Sequence, residues 1–187
     1  MEKYLSDILE EGKMQMEESI EHLNNELSHI RAGKASPEML SEIYVEAYGA
    51  KTALNHLANV SLVDSRTIAI QPWDKSQLKL IEHAIFASNI GITPMNDGEF
   101  IRLTVPPLTE DRRKQLVKIA KQYGEDSKVS IRSTRHKMLE AIKKEVKDGY
   151  PEDSGKRREK EVDDLTKEYY KKVENLLDKK EKDIMTV

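Results

Sequence analysis

Residues 60–70, Val60-Ser61-Leu62-Val63-Asp64-Ser65-Arg66-Thr67-Ile68-Ala69-Ile70, predict a β-hairpin in the first half of the chain. Both arms are rich in apolar and β-branched residues, and the three residues between the arms have turn composition. The hairpin belongs to a segment, residues 31–107, that holds five of the six prolines of this 187-residue chain. Since proline breaks helix interiors, this segment is not a continuation of long helices.

The rest of this segment predicts further short strands and one helix. An alternating run over residues 43–48 predicts another strand, and the apolar spacing over residues 75–88 predicts a helix. A second hairpin is predicted from residues 90–92 to residues 100–105, with its turn at Asn96-Asp97-Gly98. Residues 31–105 are therefore predicted to form a small β/α/β sandwich domain.

The flanking segments have helical patterns instead. Apolar residues recur every seven positions in the first segment, at Leu9, Met16, Leu23 and Ile30, with Ile20 and Leu27 between them. The last segment repeats the pattern at Val162, Leu165, Tyr169, Val173, Leu176, Lys180 and Ile184. Residues 109–147 predict a third helix with one apolar side, formed by Leu116, Ala120, Tyr123, Ser127, Ile131, Thr134, Met138 and Ala141.

The ends of this third helix have recognisable signals. Thr109 is a capping residue, Glu110 and Asp111 suit the positive end of the helix dipole, and Pro107 lies just outside. Gly149-Tyr150-Pro151 ends the helix, and Asp153 or Ser154 is expected to cap the next one.

Together these patterns predict an α+β protein. Residues 1–30 and 106–187 would form an antiparallel three-helix bundle, opened after its first helix to admit the domain at 31–105. The chain would pass between the two domains twice. These two connections predict a hinge at Arg31, Ala32 and Gly33 and at Val105, Pro106 and Pro107. The alternative, a coiled-coil oligomer, is disfavoured because Gly12, Gly124 and Lys180 interrupt the apolar stripes, and a monomer is expected.

Composition narrows the class of protein. The chain contains no cysteine, which excludes disulfides, thiol nucleophiles and cysteine-bound metals. It has no run of apolar residues long enough to span a membrane, and its acidic start lacks the apolar core of a signal peptide, so a cytoplasmic protein is expected. The net charge of −3 conceals an asymmetry: residues 1–30 hold two basic and eight acidic residues, whereas residues 106–150 hold twelve basic and seven acidic ones.

The sequence motifs that could form a catalytic or ligand-binding site are incomplete. Residues 33–36, Gly33-Lys34-Ala35-Ser36, lack the earlier glycine and the Ser or Thr after lysine that a phosphate-binding loop needs. His22, Glu26 and His29 share one helix face, but a closed zinc site needs a fourth ligand. We therefore predict a protein that is not an enzyme, with no catalytic residue, metal or cofactor.

The basic charge of residues 106–150 is concentrated on one face. At 100° per residue, seven cations fall within a stripe about 100° wide, opposite the apolar side. They are Lys114, Lys118, Lys121, Lys128, Arg132, Arg135 and Lys143, and only Glu125 interrupts them. One sign of charge along a helix favours contact with a phosphate backbone over an ordinary solvated face. Lys121, Lys128, Arg132 and Arg135 are the candidate RNA-binding residues.

Several segments are similar to those of one family. Residues 30–37, Ile-Arg-Ala-Gly-Lys-Ala-Ser-Pro, resemble the domain junction of bacterial ribosome recycling factors. Residues 64–67, 106–114 and 129–135 resemble further segments of that family, in the same order along the chain. Several matches in register over the whole length are more specific than any one motif.

The resemblance implies an L-shaped protein with the outline of a transfer RNA, in which a hinged domain moves against a three-helix bundle. It implies a factor that enters the post-termination ribosome and, with elongation factor G and GTP hydrolysis by that partner, splits the ribosome into subunits. The bundle would lie on large-subunit ribosomal RNA. Arg132 and Arg135 match the family's RNA-gripping arginines, and Lys128 matches a basic position beside them.

Some residues depart from the family pattern. Lys34 stands where arginine is frequent, and His136 replaces a second basic residue after Arg135. The acidic first helix is also unexpected in a protein that binds RNA. The competing hypothesis is a helical adaptor or co-chaperone whose charged stripe binds protein partners.

Overall fold

The structure is a computed structural model that describes residues 1–186. Its helices are, in chain order, α1 Glu2–Ser28, α2 Leu54–Leu57, α3 Leu78–Ala87, α4 Glu110–Lys147 and α5 Glu152–Met185. Its strands are β1 Tyr44–Ala47, β2 Ala50–Ala53, β3 Ala58–Leu62, β4 Thr67–Pro72, β5 Met95–Asn96 and β6 Ile101–Thr104. Single 3₁₀ turns occupy Pro37–Leu40 and Lys75–Gln77.

The chain divides into two compact units. One unit consists of Met1–Ala32 and Glu110–Val187, and the other is Gly33–Thr109. The predicted α+β class is confirmed, since the first unit is helical and the second contains the strands.

The helical unit packs α1, α4 and α5 around one core. Side chains pair between α1 and α4 in antiparallel order, as at Ser19 with Ser130, and α1 runs parallel to α5. The predicted antiparallel three-helix bundle is therefore confirmed. Its buried apolar residues are Leu5, Met16, Leu23, Leu27, Ile30, Leu116, Ala120, Ile131, Met138, Ile142, Tyr150, Val162, Tyr169, Val173 and Ile184.

Details of the core differ from the predicted stripes. Leu165 and Lys180 are only half-buried, whereas Thr166 is buried. Thr166 tolerates burial because its hydroxyl donates a hydrogen bond to the Val162 carbonyl at 2.8 Å.

The helix α4 begins at Glu110 and ends before Gly149, as the signals predict. The prediction that Asp153 or Ser154 caps α5 is wrong. The helix starts earlier, at Glu152, after Pro151, and no side chain caps it. The backbone N–H of Gly155 donates to the Pro151 carbonyl at 2.9 Å, so Asp153 and Ser154 lie inside the first turn, past the capping position.

The second unit combines a two-stranded and a four-stranded antiparallel sheet, the latter in the order β3-β4-β6-β5. The predicted hairpin is confirmed: Leu62 pairs with Ile68, and the Asp64 carboxylate accepts the Arg66 N–H at 2.8 Å inside the turn. Residues of both sheets and of α3 share one core, with Val45, Ile70, Ile81, Ile101 and Leu103 almost fully buried.

The second hairpin is present with a different first strand. Asp97 and Gly98 lie in its turn, as predicted, but Asn96 belongs to the strand before the turn, which is Met95–Asn96 and not residues 90–92. Asn89 and Gly91 both adopt positive φ, at 54° and 76°, which prevents an extended strand there. Ile90 and Ile92 pack against the core from this irregular segment.

Candidate nucleic-acid interface

The candidate interface is the cationic face of α4, whose orientation is set by the packing of the helix. Leu116, Ala120, Ile131 and Met138 are buried along one side of this helix. The opposite side consequently faces solvent and carries the cations. Acidic residues at the first turn, Glu110 and Asp111, suit the positive end of the helix dipole.

Lys121 and Arg132 are the two predicted residues that point freely into solvent. Both side chains are exposed. Within the described residues 1–186, neither has a carboxylate within ion-pair distance. A phosphate group can therefore approach either cation without first displacing a protein partner.

Arg135 is differently placed, because it bridges α4 to α5. Its Nε donates to Asp163 Oδ1 at 2.9 Å, and one terminal nitrogen lies 2.8 Å from the same oxygen. Both side chains remain partly exposed, at 38% for Arg135 and 46% for Asp163. The guanidinium is thus held in one orientation by a carboxylate of the neighbouring helix.

Lys128 also makes an ion pair to α5. Its Nζ donates to the Glu174 carboxylate and lies 3.7 Å from Glu125 on its own helix. The hydrogen bond to Glu174 raises the pKa of Lys128 above its ordinary value. The lysine is fully charged, but much of its field is neutralised at short range.

The four predicted residues therefore fall into two groups. Lys121 and Arg132 are open to solvent, whereas Lys128 and Arg135 are neutralised by carboxylates of α5. The helical projection of α4 identified Glu125 as the only acidic residue on this face, and it missed Asp163 and Glu174. The sequence does contain a signal for the contact between Asp163 and Arg135. Arg135 lies fourteen positions before Gly149 and Asp163 fourteen after it (149 − 135 = 163 − 149 = 14), so an antiparallel turn at Gly149 places them side by side.

The remaining cations of the stripe flank these four. Lys114 makes an exposed ion pair with Glu110 at 3.2 Å, one turn earlier. Lys118 and Lys143 are exposed and have no ion-pair partner within residues 1–186. His136, the residue after Arg135, has its Nε2 3.1 Å from the Glu140 carboxylate one turn later in α4. The open positive charge therefore extends along much of α4.

The first candidate hinge segment lies at the border of the two units. The division falls between Ala32 and Gly33, after α1 has ended. Arg31 is exposed, and Gly33 adopts φ of 75°, in the left-handed region that favours glycine. A Cβ at Gly33 would lie 2.9 Å from Leu108 Cγ, so both conformation and space require glycine here.

The second crossing contains no helix or strand from residue 105 to residue 109. Its first residue, Val105, donates its N–H to the Arg66 carbonyl at 2.7 Å and is thereby attached to the hairpin β3–β4. Pro106 and Pro107 are exposed. The division of the units falls beyond them, between Thr109 and Glu110.

The three residues considered for zinc do not converge. His22 Nε2 lies 3.1 Å from Glu26 Oε1, whereas the His29 ring contacts the Asn25 carbonyl at 2.7 Å. No group of three or more metal-binding side chains is found within residues 1–186.

Comparison with known proteins identifies the family. The family model described as ribosome recycling factor matches residues 23–185. The chain belongs to the ribosome recycling factor family. The family match includes α4 and α5 in full, and so all four candidate RNA-binding residues.

Relatives from several bacteria match over nearly the whole chain. The ribosome-recycling factor of Porphyromonas gingivalis is 48% identical over 184 residues, which cover 98% of this chain and 99% of the relative. That of Flavobacterium johnsoniae is 46% identical over 187 residues, all of both chains. The resemblance stated from the sequence is therefore confirmed.

Solved structures of the family share the fold. A solution structure of a ribosome recycling factor is 36% identical, covers 98% of both chains and superposes with a TM-score of 0.73. A model of the Thermus thermophilus factor, with Escherichia coli elongation factor G on the E. coli post-termination complex, is 40% identical with a TM-score of 0.60. It covers 97% of this chain and 99% of that one.

Among residues 1–186, no helix has both the length and the apolar character that a membrane span needs.

Proposed function

We propose that this chain binds the post-termination ribosome and, together with elongation factor G, splits it into subunits for another round of translation in the cytoplasm. The observation that carries this proposal is the open cationic charge of α4 around Arg132, in a chain of the ribosome recycling factor family. The related T. thermophilus factor has been placed with elongation factor G on that ribosomal complex, which supports the same partners here.

The bundle is the proposed anchor on ribosomal RNA. Exposed lysines and arginines along one helix face give an attraction to phosphates that weakens as salt is added. Arg132 also offers two free edges of its guanidinium for bidentate contact with a phosphate. Lys121 lies three turns before it, so the two cations reach separate phosphates along one RNA backbone.

The smaller unit is the proposed moving part. It is attached through two segments without helix or strand, around Arg31–Gly33 and Val105–Pro107. Since Val105 is bonded to the hairpin, we place the second pivot at Pro106, Pro107 and the two residues after them. The energy for splitting would come from GTP hydrolysis by elongation factor G, with this chain as a mechanical element and not as an enzyme.

The proposal is tested by co-sedimentation and by a splitting assay. Purified large subunits should retain the protein at low salt and release it as salt rises. Post-termination ribosomes should separate into subunits only when this chain, elongation factor G and GTP are all present. Absence of ribosome association at every salt concentration would contradict the proposal and favour a protein-binding adaptor.

A further inference from the structure

Two carboxylates of α5 lie against the cationic face of α4. Asp163 Oδ1 accepts hydrogen bonds from Nε and a terminal nitrogen of Arg135, and Glu174 accepts one from Lys128. All of these side chains keep some exposure to solvent. The pairs therefore lie at the rim of the proposed interface and not in the core.

The geometry at Arg135 leaves half of its guanidinium available. The edge formed by Nε and one terminal nitrogen faces Asp163, so the edge formed by the two terminal nitrogens is open to another acceptor. A phosphate can bind at that open edge only if it tolerates the nearby carboxylate. Otherwise it must displace Asp163.

We propose that Asp163 and Glu174 are selectivity residues of the RNA-binding face, which restrict Arg135 and Lys128 to RNA that places phosphates in the correct geometry. This inference rests on the proposed function. An arbitrary RNA meets full charge at Lys121 and Arg132 but gains little from the two neutralised cations.

The physical reason is that a cation already paired to a carboxylate contributes little to counterion release. Affinity for any polyanion comes mostly from cations that exchange solution ions for phosphates. Exposed ion pairs are weak, so a well-placed phosphate can still replace the carboxylate. A phosphate in the correct position can offset the loss of the ion pair, whereas a poorly placed phosphate cannot. The ion pairs therefore increase selectivity among RNAs and do not increase affinity.

A purely structural role makes a different prediction. If the pairs served only to hold α4 against α5, their loss would lower stability and leave RNA binding unchanged. The experiment therefore needs a readout of RNA selectivity beside one of folding.

The test compares Asp163→Asn, Glu174→Gln and the double variant with wild type. Asp164→Asn is the matched control, because Asp164 is an exposed carboxylate next to Asp163 with no ion-pair partner within residues 1–186. Binding is measured against salt for two probes, an RNA duplex of arbitrary sequence and purified large ribosomal subunits. Far-UV circular dichroism and thermal unfolding confirm that each variant is folded.

We expect each selectivity variant to bind the duplex more tightly, with a salt slope steeper by about 0.9 for each released cation. With this difference in slope, the ratio of variant affinity to wild-type affinity is roughly eightfold larger at about 0.1 M salt than at about 1 M salt. Large-subunit affinity should change less, so the ratio of large-subunit to duplex affinity falls. Asp164→Asn should leave the slope close to wild type.

Slopes and ratios equal to those of Asp164→Asn in all three variants would overturn the inference, and so would weaker duplex binding. The proposed function is judged separately by wild-type binding to large subunits. If wild type binds them and the selectivity variants match the control, only this inference fails. If wild type binds no subunit at any salt, the proposed function fails as well.

Discussion

The Tyr169 hydroxyl donates a 2.6 Å hydrogen bond to Glu17 Oε2, which ties α5 to the acidic helix α1. Tyr169 is almost fully buried, and Lys172 reaches the same carboxylate at 3.3 Å from above the tyrosine ring. Near the start of α1, the Tyr150 hydroxyl donates a similar hydrogen bond of 2.5 Å to Glu2 Oε2. Part of the negative charge of α1 is thus used to fasten the bundle.

Replacing Tyr169 by Phe should destabilise the bundle. The change removes a part-buried hydrogen bond to a carboxylate that is about half exposed, and solvent screening limits its contribution to about 0.5–1.5 kcal/mol. Urea unfolding followed by circular dichroism measures the loss in the free energy of unfolding. Tyr170→Phe is the control, since Tyr170 is half-buried and its hydroxyl has no hydrogen-bond partner within residues 1–186. Equal stability of the two variants would contradict this assignment.

The same contacts predict a dependence of stability on pH. Hydrogen bonds from Tyr169 and then Lys172 hold the pKa of Glu17 below its ordinary value of 4.5, and those from Tyr150 and Arg158 do the same for Glu2. A carboxyl with a lowered pKa in the folded chain stabilises that chain fully above its ordinary pKa. This contribution is lost as the pH falls through the lowered value.

The expected result is a difference in unfolding free energy between wild type and Tyr169→Phe that is constant near neutral pH and narrows below pH of about 4.5. Urea titrations at several pH values between about 2 and 7 measure it. A difference that grows as the pH falls would have the wrong sign and would refute the role of the Glu17 carboxylate.

Two glycines that interrupt the predicted stripes prove to be positions of close helix contact. A Cβ at Gly12 would lie 2.3 Å from Sδ of Met138, a side chain that is almost fully buried. At Gly124 it would lie 2.4 Å from a methyl carbon of Leu177, which is only half-buried. Both glycines thus permit approach of neighbouring helices.

Gly12→Ala should therefore destabilise the protein by about 1–3 kcal/mol through overpacking, although alanine is the better helix former by about 1 kcal/mol. Gly124→Ala should cost less, because the half-buried side chain of Leu177 can move aside more easily than the buried side chain of Met138. Chemical denaturation of both variants gives the comparison. A Gly12→Ala variant more stable than wild type would show that α1 and α4 separate easily at this point.

Gly33 offers a test of the proposed hinge. Gly33 and Gly49 have nearly the same φ, 75° and 77°, so alanine at either adds left-handed strain of about 1–2 kcal/mol. Only at Gly33 does the new Cβ meet another side chain, that of Leu108, whereas nothing lies within 4 Å at Gly49. Gly33→Ala should lose more stability than Gly49→Ala and should also slow ribosome splitting with elongation factor G. Equal splitting rates would argue against a pivot at Gly33.

The parts of the fold that sequence predicted are those with a strong local signal. The hairpin over residues 60–70 alternates clearly, and α4 begins where acidic residues follow a proline. By contrast, β2 was missed because Ala50-Lys51-Thr52-Ala53 carries almost no apolar alternation. This strand exists because it pairs with β1 in a tight hairpin, a tertiary reason that a local pattern does not contain.

The sequence predicts which face of α4 carries the cations, but it does not predict the carboxylates of α5 that pair with two of them. The helical period of α4 correctly places its cations opposite the buried side. That period contains nothing about the neighbouring helix, so the neutralisation of Lys128 by Glu174 was not foreseen. For the same reason the pattern of α4 alone does not explain Gly124, since the role of this glycine depends on Leu177 of α5.

Arg132 is the open cation at the centre of the proposed RNA-binding face. The decisive measurement is the affinity of Arg132→Ala for large ribosomal subunits as a function of salt, beside Arg157→Ala. Arg157 is an exposed arginine of α5 without an ion-pair partner in residues 1–186, so both variants lose the same charge. We predict that Arg132→Ala binds more weakly, with a salt slope smaller by about one, while Arg157→Ala resembles wild type. Identical affinities and slopes for the two variants would contradict the account.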